Sequence, residues 1–256
     1  MRSFTASGVP VRKCQLCARC RPSGRAAPIA KWAHTGEVSW KPHSQSVCAA
    51  KAGAAIDIPM GPRSRDNEIR AAAHATLLKR ARACPDTIVI DELGLDHGAC
   101  RVDIAVINGH IRGVEIKADA DVLDRLPGQI AAYGAVVDRA TLIAAPRHLE
   151  KALTLLPEWW GVMSAELRPG GKIVFRIVRP ERSNRSVNPL TLSRLLWRPE
   201  AASVLRELGY PEKMLRQPRE ELYRALVAEL PKRELAERVR RALKIREVWR
   251  DRPEPS

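Results

Sequence analysis

Alternating apolar and polar residues between positions 101 and 119 predict the two strands of a β-hairpin. In the run RVDIAVI, valine and isoleucine alternate with Asp103 and an alanine, and in VEIK they alternate with Glu115 and Lys117. Such alternation is typical of strands with one buried face. The dipeptide Asn108-Gly109 between the two runs indicates a tight connection.

The length of that connection decides which side chains share a face. A two-residue turn pairs Asp103 with Val114 and sends Glu115 to the opposite face, whereas a three-residue loop or one bulge shifts the pairing by one residue. Only the odd loop places Asp103, Glu115 and Lys117 together on one face, so we predict it. The residues expected on the other, core-facing side are Val102, Ile104, Val106, Val114 and Ile116.

Further elements are predicted on both sides of the hairpin. They are a helix over 65–83, a strand over 87–95, a helix over 122–137, a strand over 141–145 and, after a turn at Gly170-Gly171, a strand over 172–178. The first helix carries Glu68 in its first turn, and the second carries Gln129 and Tyr133 at positions i and i+4 of one face. The order of the core is therefore helix, three strands, helix, strand.

Composition divides the chain into three regions. Residues 1–63 are basic, rich in small residues and without periodicity, so we expect a disordered segment. Residues 64–178 form the predicted core. Residues 179–256 are predicted to be a basic helical region, with breaks at prolines and a last helix from Lys232 to Arg250. These prolines are Pro199, Pro211, Pro218 and Pro231.

Charge is distributed unevenly over these regions. The net charge is +15, yet residues 65–165 hold twelve basic and fourteen acidic residues. A mildly acidic core suits a metal site, and basic flanks suit a polyanionic partner. Solubility, together with a GC-rich genome that favours arginine, would also explain the basic flanks. We expect no membrane partner and a cytoplasmic location, because the chain has no long apolar run and no signal peptide pattern.

The polar face of the hairpin carries the strongest chemical signal. Two adjacent carboxylates repel, and Mg²⁺ relieves that repulsion with few protein ligands because it keeps several waters. A bound metal polarises a phosphate and activates water, and a nearby lysine can stabilise the charge that develops. The alternative is that Asp103, Glu115 and Lys117 are ordinary surface charges, since this pattern also arises by chance.

Taken together, these motifs resemble the PD-(D/E)XK nuclease superfamily. The resemblance covers roughly residues 64–200 and implies a restriction-endonuclease-like αβββαβ core with a mixed central sheet, plus a helical C-terminal extension. Its motif corresponds to Asp103, Glu115 and Lys117, while Val102-Asp103 replaces the usual proline-aspartate pair. The pattern Gln129-Ile-Ala-Ala-Tyr133 resembles the RecB-like branch, and the whole is similar to a bacterial family of standalone members.

This resemblance implies a catalytic set and a substrate. Asp103, Glu115 and Glu68 are the expected ligands of Mg²⁺ or Mn²⁺, and Lys117 is the expected catalytic lysine. The expected function is metal-dependent hydrolysis of phosphodiester bonds, in DNA before other nucleic acids. The alternative is a nucleic-acid-binding protein on a nuclease fold that has lost catalysis. The oligomeric state stays open, with a homodimer among the options.

Other residues allow both a functional and a structural interpretation. His97 and Arg101 lie just before Asp103 and could contact phosphate, or they could serve only as loop and surface charges. For the tryptophans Trp159, Trp160 and Trp197, packing in the core is favoured over base stacking.

The cysteines form two groups. The N-terminal set could bind zinc or an iron–sulfur cluster. However, a usual zinc site has two separated pairs rather than a packed triplet with a distant fourth residue, and the cysteines of RecB-like nucleases that carry a cluster flank the core differently. Its members are Cys14, Cys17, Cys20 and Cys48. We interpret Cys84 and Cys100 as small core residues.

Overall fold

Within residues 63–246, which the structure, a computed structural model, describes, six strands form one mixed sheet in chain order. They are β1 (Ile88–Leu95), β2 (Cys100–Ile107), β3 (Ile111–Lys117), β4 (Arg139–Ala144), β5 (Gly161–Leu167) and β6 (Ile173–Arg179). Strands β1 to β3 are antiparallel, β3 to β5 run parallel, and β6 pairs antiparallel with β5 around the predicted Gly170-Gly171 turn. The predictions for residues 1–62, including the four N-terminal cysteines, lie outside the described residues.

Helices flank the sheet on both sides. They are α1 (Asp66–Ala75), α2 (Lys79–Arg82), α3 (Leu126–Val136), α4 (Leu149–Leu155), α5 (Pro189–Ser193), α6 (Arg198–Glu207), α7 (Glu212–Leu215), α8 (Arg219–Glu229) and α9 (Lys232–Ile245). Apart from the short α2, the first elements follow the predicted order of helix, three strands, helix and strand. The mixed α/β class is therefore confirmed.

The predicted first helix is interrupted after Ala75. The Thr76 hydroxyl donates to the carbonyl of Ala72 at 2.7 Å, and the Leu78 amide donates to Ala73 at 3.0 Å. A threonine hydroxyl that bonds a carbonyl of the preceding turn competes with the regular helix pattern. The chain therefore turns before the short α2, and one long helix over 65–83 is a wrong prediction.

The hairpin has the predicted odd loop. Ile107 pairs with Ile111 and Ile104 with Val114, which leaves a connection of three residues. If this register is continued by one position beyond the last pair, Ile104 with Val114, Asp103 lies opposite Glu115.

The face assignment of the hairpin needs one correction. Ile104, Val106, Val114 and Ile116 pack with α1, as the alternation predicts, but Val102 belongs to the core on the opposite side. The cause is an irregular position in the pairing of β1 with β2. Glu92 of β1 lies opposite Asp103 but has a φ of 57°, and this pair is missing from the ladder. The alternation of β2 breaks at this position, and Val102 joins the core cluster that contains Tyr133.

Both faces of the sheet are covered, since parallel strands at its centre need apolar layers on each side. One layer contains α1, and the other contains α3 together with the C-terminal helices. The boundary predicted at residues 178–179 therefore does not separate two cores. The residues that the C-terminal helices place in the shared core include Leu192, Leu205, Leu222, Leu226, Leu235, Val239 and Leu243.

The prolines that were predicted to break the C-terminal region lie at the starts of its helices. Pro211, Pro218 and Pro231 cap α7, α8 and α9, and Pro199 lies in the first turn of α6. A proline costs little there, because the first amides of a helix have no partner within it. Among residues 63–246, none of the helices has the length and apolar character needed to cross a bilayer.

Candidate active site

A cleft of about 760 Å³ opens where the pairing of β2 with β3 ends, away from the hairpin loop. Four of the residues singled out from the resemblance line it, namely Asp103, Glu115, Lys117 and Gln129. The remaining charged residues around it are Asp66, Arg70, Glu92, Arg101, Asp121, Asp124 and Arg125. We call this cavity the carboxylate cleft.

Glu115 is almost completely buried in this cleft, with 1% of its surface exposed. Its Oε1 accepts hydrogen bonds from Lys117 Nζ at 2.7 Å and from the side-chain amide of Gln129. Its Oε2 accepts from the hydroxyl of Tyr133 at 2.6 Å. Burial and the charge of Glu115 raise the pKa of Tyr133, so this hydroxyl keeps its proton. Three donors therefore hold the charge of Glu115 in place.

Asp103 lies beside Glu115 in less favourable surroundings. Its Oδ2 accepts from the Ile116 amide at 2.6 Å, so the side chain lies between the two strands. Burial, and then repulsion from Glu115, raise the pKa of Asp103 to about 7. The Glu115 carboxylate is thus close enough to disfavour the charged form of Asp103.

Arg70 of α1 was not identified from the sequence, and it occupies the acidic side of the cleft. Its guanidinium donates to the Asp103 carbonyl at 2.6 Å, and its Nη2 lies 3.0 Å from a carboxylate oxygen of Glu92. It also lies 3.3 Å from Asp66 and 3.4 Å from the Asp103 carboxylate. The only sequence signal was the i, i+4 spacing of Asp66 and Arg70 on one helix.

Glu68 does not reach the carboxylate cleft, which corrects its predicted role. Its side chain is exposed, and its carboxylate accepts a hydrogen bond from the Arg65 amide at 2.8 Å. A glutamate three residues into a helix commonly bonds back to the residue that precedes the helix. Asp66 and Arg70 instead point from α1 into the cleft.

His97 and Arg101, the two residues predicted near the phosphate, have different positions. His97 does not line the carboxylate cleft: its Nε2 lies 3.1 Å from Glu220 of α8, and its ring stacks with that of Tyr223. Arg101 does line the cleft, with its Nε 3.6 Å from Glu92 and 67% of its side chain exposed. Arg101 therefore remains placed to contact a ligand, whereas His97 joins the strand end to the C-terminal helices.

The tryptophans and cysteines divide in a similar way. Trp160 is fully buried and its ring lies 5.1 Å from that of Tyr133, so its core role is confirmed. Trp197 is 40% exposed with the guanidinium of Arg246 over its ring, so core packing was a wrong prediction there. Cys84 and Cys100 are half-buried, and Cys100 packs against the edge of the core.

The donor set of the cleft limits what it could hold. Among residues 63–246, no group of three or more His, Cys, Asp or Glu side chains is arranged to hold a metal ion. Asp103 and Glu115 remain as a carboxylate pair. Burial and then repulsion from Glu115 raise the pKa of Asp103, and a cation between the carboxylates would relieve the repulsion. One or two carboxylates are enough for Mg²⁺, which keeps several waters. The pair therefore fits a hard divalent cation with few protein ligands.

Comparisons with known proteins lead to one family. Protein cII of Enterobacteria phage P4 is 25% identical over 145 residues, which are 57% of this chain and 54% of that protein. The chain thus spans about half the length of this curated relative. A solved structure of a protein of unknown function from Silicibacter pomeroyi is 23% identical and covers 56% of this chain and 90% of its own, with a TM-score of 0.34. The family model described as Bacteriophage P4 protein cII matches residues 62–250. Because this match spans every described element from α1 to α9, the chain belongs to the bacteriophage P4 protein cII family.

Proposed function

We propose that this protein is a metal-dependent nuclease that hydrolyses phosphodiester bonds, with DNA as its substrate. The observation that carries the proposal is the meeting of Asp103, Glu115 and Lys117 in one cleft. The three residues come from neighbouring strands, and Lys117 Nζ is hydrogen-bonded to Glu115. A carboxylate pair beside a fixed ammonium is the arrangement that phosphoryl chemistry with Mg²⁺ or Mn²⁺ needs.

We further propose that the fold is a restriction-endonuclease-like core of the PD-(D/E)XK type with a RecB-like motif. Two features support this. The order of α1, β1 to β3, α3 and β4 follows the αβββαβ pattern. Gln129 and Tyr133, one turn apart on α3, both donate to the same carboxylate, Glu115.

Asp103 and Glu115 would hold the metal. When bound there, the metal would polarise the phosphate and lower the pKa of a coordinated water. Lys117 is positioned to orient that water or to stabilise negative charge on the phosphate oxygens. Gln129 and Tyr133 fix the direction of Glu115, and Arg101 at the exposed rim can contact a neighbouring phosphate.

The alternative is a nucleic-acid-binding protein that has lost catalysis. Two observations favour it: Glu68 caps its own helix, and the Arg70 guanidinium lies among Asp66, Glu92 and Asp103. A resident cation of the protein itself would compete with a metal for these carboxylates. Under this alternative, the charges of the cleft serve packing and binding only.

Cleavage assays on the full chain separate the two functions. Supercoiled, linear and single-stranded DNA and an RNA oligomer are incubated with Mg²⁺, Mn²⁺ or EDTA. The nuclease proposal expects metal-dependent cleavage of DNA that Asp103→Asn and Lys117→Met each reduce at least about a hundredfold, with binding largely retained. Glu68→Gln serves as the matched control and should cut like the wild type. Binding without cleavage on every substrate would favour the alternative.

A further inference from the structure

A second cleft of about 640 Å³ adjoins the carboxylate cleft. Glu92 and Gly98 line both cavities, so the two share a wall at the irregular part of β1. The C-terminal helices supply its other side, with Arg194, Trp197, Arg198, Arg219, Tyr223 and Arg246. We call it the arginine cleft. Its volume lies within the range of about 300–1,000 Å³ that is usual for ligand sites.

The charge of the arginine cleft is opposite to that of its neighbour. Four arginines line it against the two acids Asp91 and Glu92, whereas the carboxylate cleft has six acids and four basic residues. A polyanion that spans both would place phosphates on the arginine side. The carboxylate side would then be left for a cation.

Two arginines of this cleft, Arg198 and Arg219, form no ion pair with a carboxylate among residues 63–246. Arg198 donates to the backbone carbonyls of Leu215 and Gln217, at 3.0 and 3.2 Å. Arg219 is exposed at the start of α8, and the adjacent Glu220 is already held by His97 and Arg194. Guanidinium groups with spare N–H donors are well suited to phosphate oxygens.

Arg194 adds a further unused donor. Its Nη groups bond Asp96 and Glu220, but its Nε is buried and has no acceptor among residues 63–246. A buried donor without a partner is uncommon in folded proteins, and a ligand or water oxygen would satisfy it.

Trp197 gives the cleft an aromatic surface. The residue is 40% exposed. The guanidinium carbon of Arg246 lies over the indole, 4.3 Å from the ring centre, and fixes its position. Its backbone amide bonds Glu200, so the side chain plays no part in capping α6. An exposed and immobilised indole beside arginines is a stacking surface for a nucleic-acid base.

We propose that the arginine cleft binds an unpaired nucleotide of the substrate strand, with its base on Trp197 and its phosphates on Arg198 and Arg219. This inference rests on the proposed function and deepens it, because the occupant would be the strand whose neighbouring phosphate enters the carboxylate cleft. An unpaired strand is favoured, since a base stacked within a duplex cannot offer its face to the indole.

Binding is measured in EDTA with the full chain and a fluorescent oligothymidylate, so cleavage is not required. Trp197→Leu should weaken binding about tenfold, because one base–aromatic stack is lost, and Trp197→Phe should retain most of the affinity. Arg198→Gln combined with Arg219→Gln should reduce the slope of log affinity against log salt by about 1.4, or about 0.7 for each single-strand phosphate contact. Arg185→Gln, an exposed arginine outside both clefts, is the control and should match the wild type.

Three results would overturn the assignment. The first is wild-type affinity and salt dependence in the Trp197 and arginine variants. The second is an equal effect of Trp197→Leu on a duplex of the same sequence. The third is competition by thymidine monophosphate at the same concentration as the oligonucleotide, which would indicate a site for a free nucleotide.

This test is separable from that of the nuclease. If the wild type cuts DNA and the cleft variants bind and cut normally, only the assignment of the arginine cleft fails. If the wild type binds single strands through these residues but never cuts, the nuclease proposal fails and the cleft assignment stands.

Discussion

Glu115 and Asp103 are carboxylates of one cleft, yet they differ in the hydrogen bonds that they accept. Glu115 accepts three hydrogen bonds from Lys117, Gln129 and Tyr133. Asp103 is largely buried beside that charge, and the single Ile116 amide that bonds its Oδ2 does not offset the burial. At the residue scale, Glu115 is held by three donors, whereas the charge of Asp103 changes near neutral pH.

The first prediction concerns stability and pH. The pKa of Asp103 is about 7 in the folded protein against 3.8 for the ordinary side chain, so folding favours its protonated form. The resulting stabilisation is complete below pH 3.8 and is lost as the pH rises through 7. In EDTA, Asp103→Asn should therefore raise the melting temperature more at pH 8 than at pH 5. Each kcal/mol corresponds to about 2–4 °C in a domain of this size. The same difference at both pH values would contradict the shift.

The second prediction concerns the metal. A divalent cation binds ionised carboxylates, so adding Mg²⁺ should raise the melting temperature of the wild type more at pH 8 than at pH 5. The effect should disappear on chelation and should be absent from Asp103→Asn, which is the matched control. An equal effect of Mg²⁺ on the variant would show that the cation binds elsewhere.

The sequence predicts the residues of this site that belong to one hairpin, and misses those that depend on packing between elements. Strand alternation and loop parity are local, so they identify Asp103, Glu115 and Lys117 together. Arg70 reaches the cleft because of how α1 packs on the sheet, and Glu92 reaches it because its φ is left-handed. Sequence periodicity reveals neither. Glu68 was misassigned because the first turn of α1 holds two acids, of which Glu68 caps the helix and Asp66 lines the cleft.

At the scale of elements, the contact between β3 and α3 positions the site. Gly113 of β3 lies under the ring of Tyr133, where an added Cβ would come within 2.8 Å of the ring carbon Cε1 and 3.3 Å of a methyl group of Val102. The ring cannot retreat, because it is fully buried against Trp160. The glycine therefore permits the close approach that brings the Tyr133 hydroxyl to Glu115.

The third prediction tests this contact. Gly113→Ala should destabilise the protein by about 1–3 kcal/mol through overpacking. If the proposed nuclease activity is present, the variant should also cleave DNA more slowly, because Tyr133 is displaced from Glu115. Gly109→Ala in the hairpin loop is the matched control, since nothing lies within 4 Å of its added Cβ. Chemical denaturation and cleavage rates are compared. A stable and fully active Gly113→Ala would show that the spacing of the strand and the helix is not critical.

At the scale of the whole molecule, the C-terminal helices are part of the sheet's own core. Leu235, Val239 and Leu243 of α9 are buried in the same cluster as Leu142 of β4 and Trp160. The charged loop after β1 adds polar links, because Arg194 bonds Asp96 and Glu220 lies against His97. The sequence suggested a separate region because composition changes near residue 179, but composition does not report what a helix packs against.

The fourth prediction follows from this shared core. Leu243→Ala should lower the free energy of unfolding by about 2–5 kcal/mol and weaken the protection of β4 amides against hydrogen exchange. Ile245→Ala, two residues further on and 72% exposed, should change stability by no more than about 0.5 kcal/mol. If α9 opened without any change in β4 protection, the helices would be an independently stable unit.

The three-residue loop between β2 and β3 also has a consequence for how this family can vary over time. Inserting or deleting one residue there would rotate Glu115 and Lys117 beneath α1, whereas a change of two would return them to the carboxylate cleft. Length variants that keep the chemistry should therefore differ in even steps. A natural relative with an odd change in this loop, and no compensating bulge, would mark a lineage in which the proposed reaction is no longer under selection.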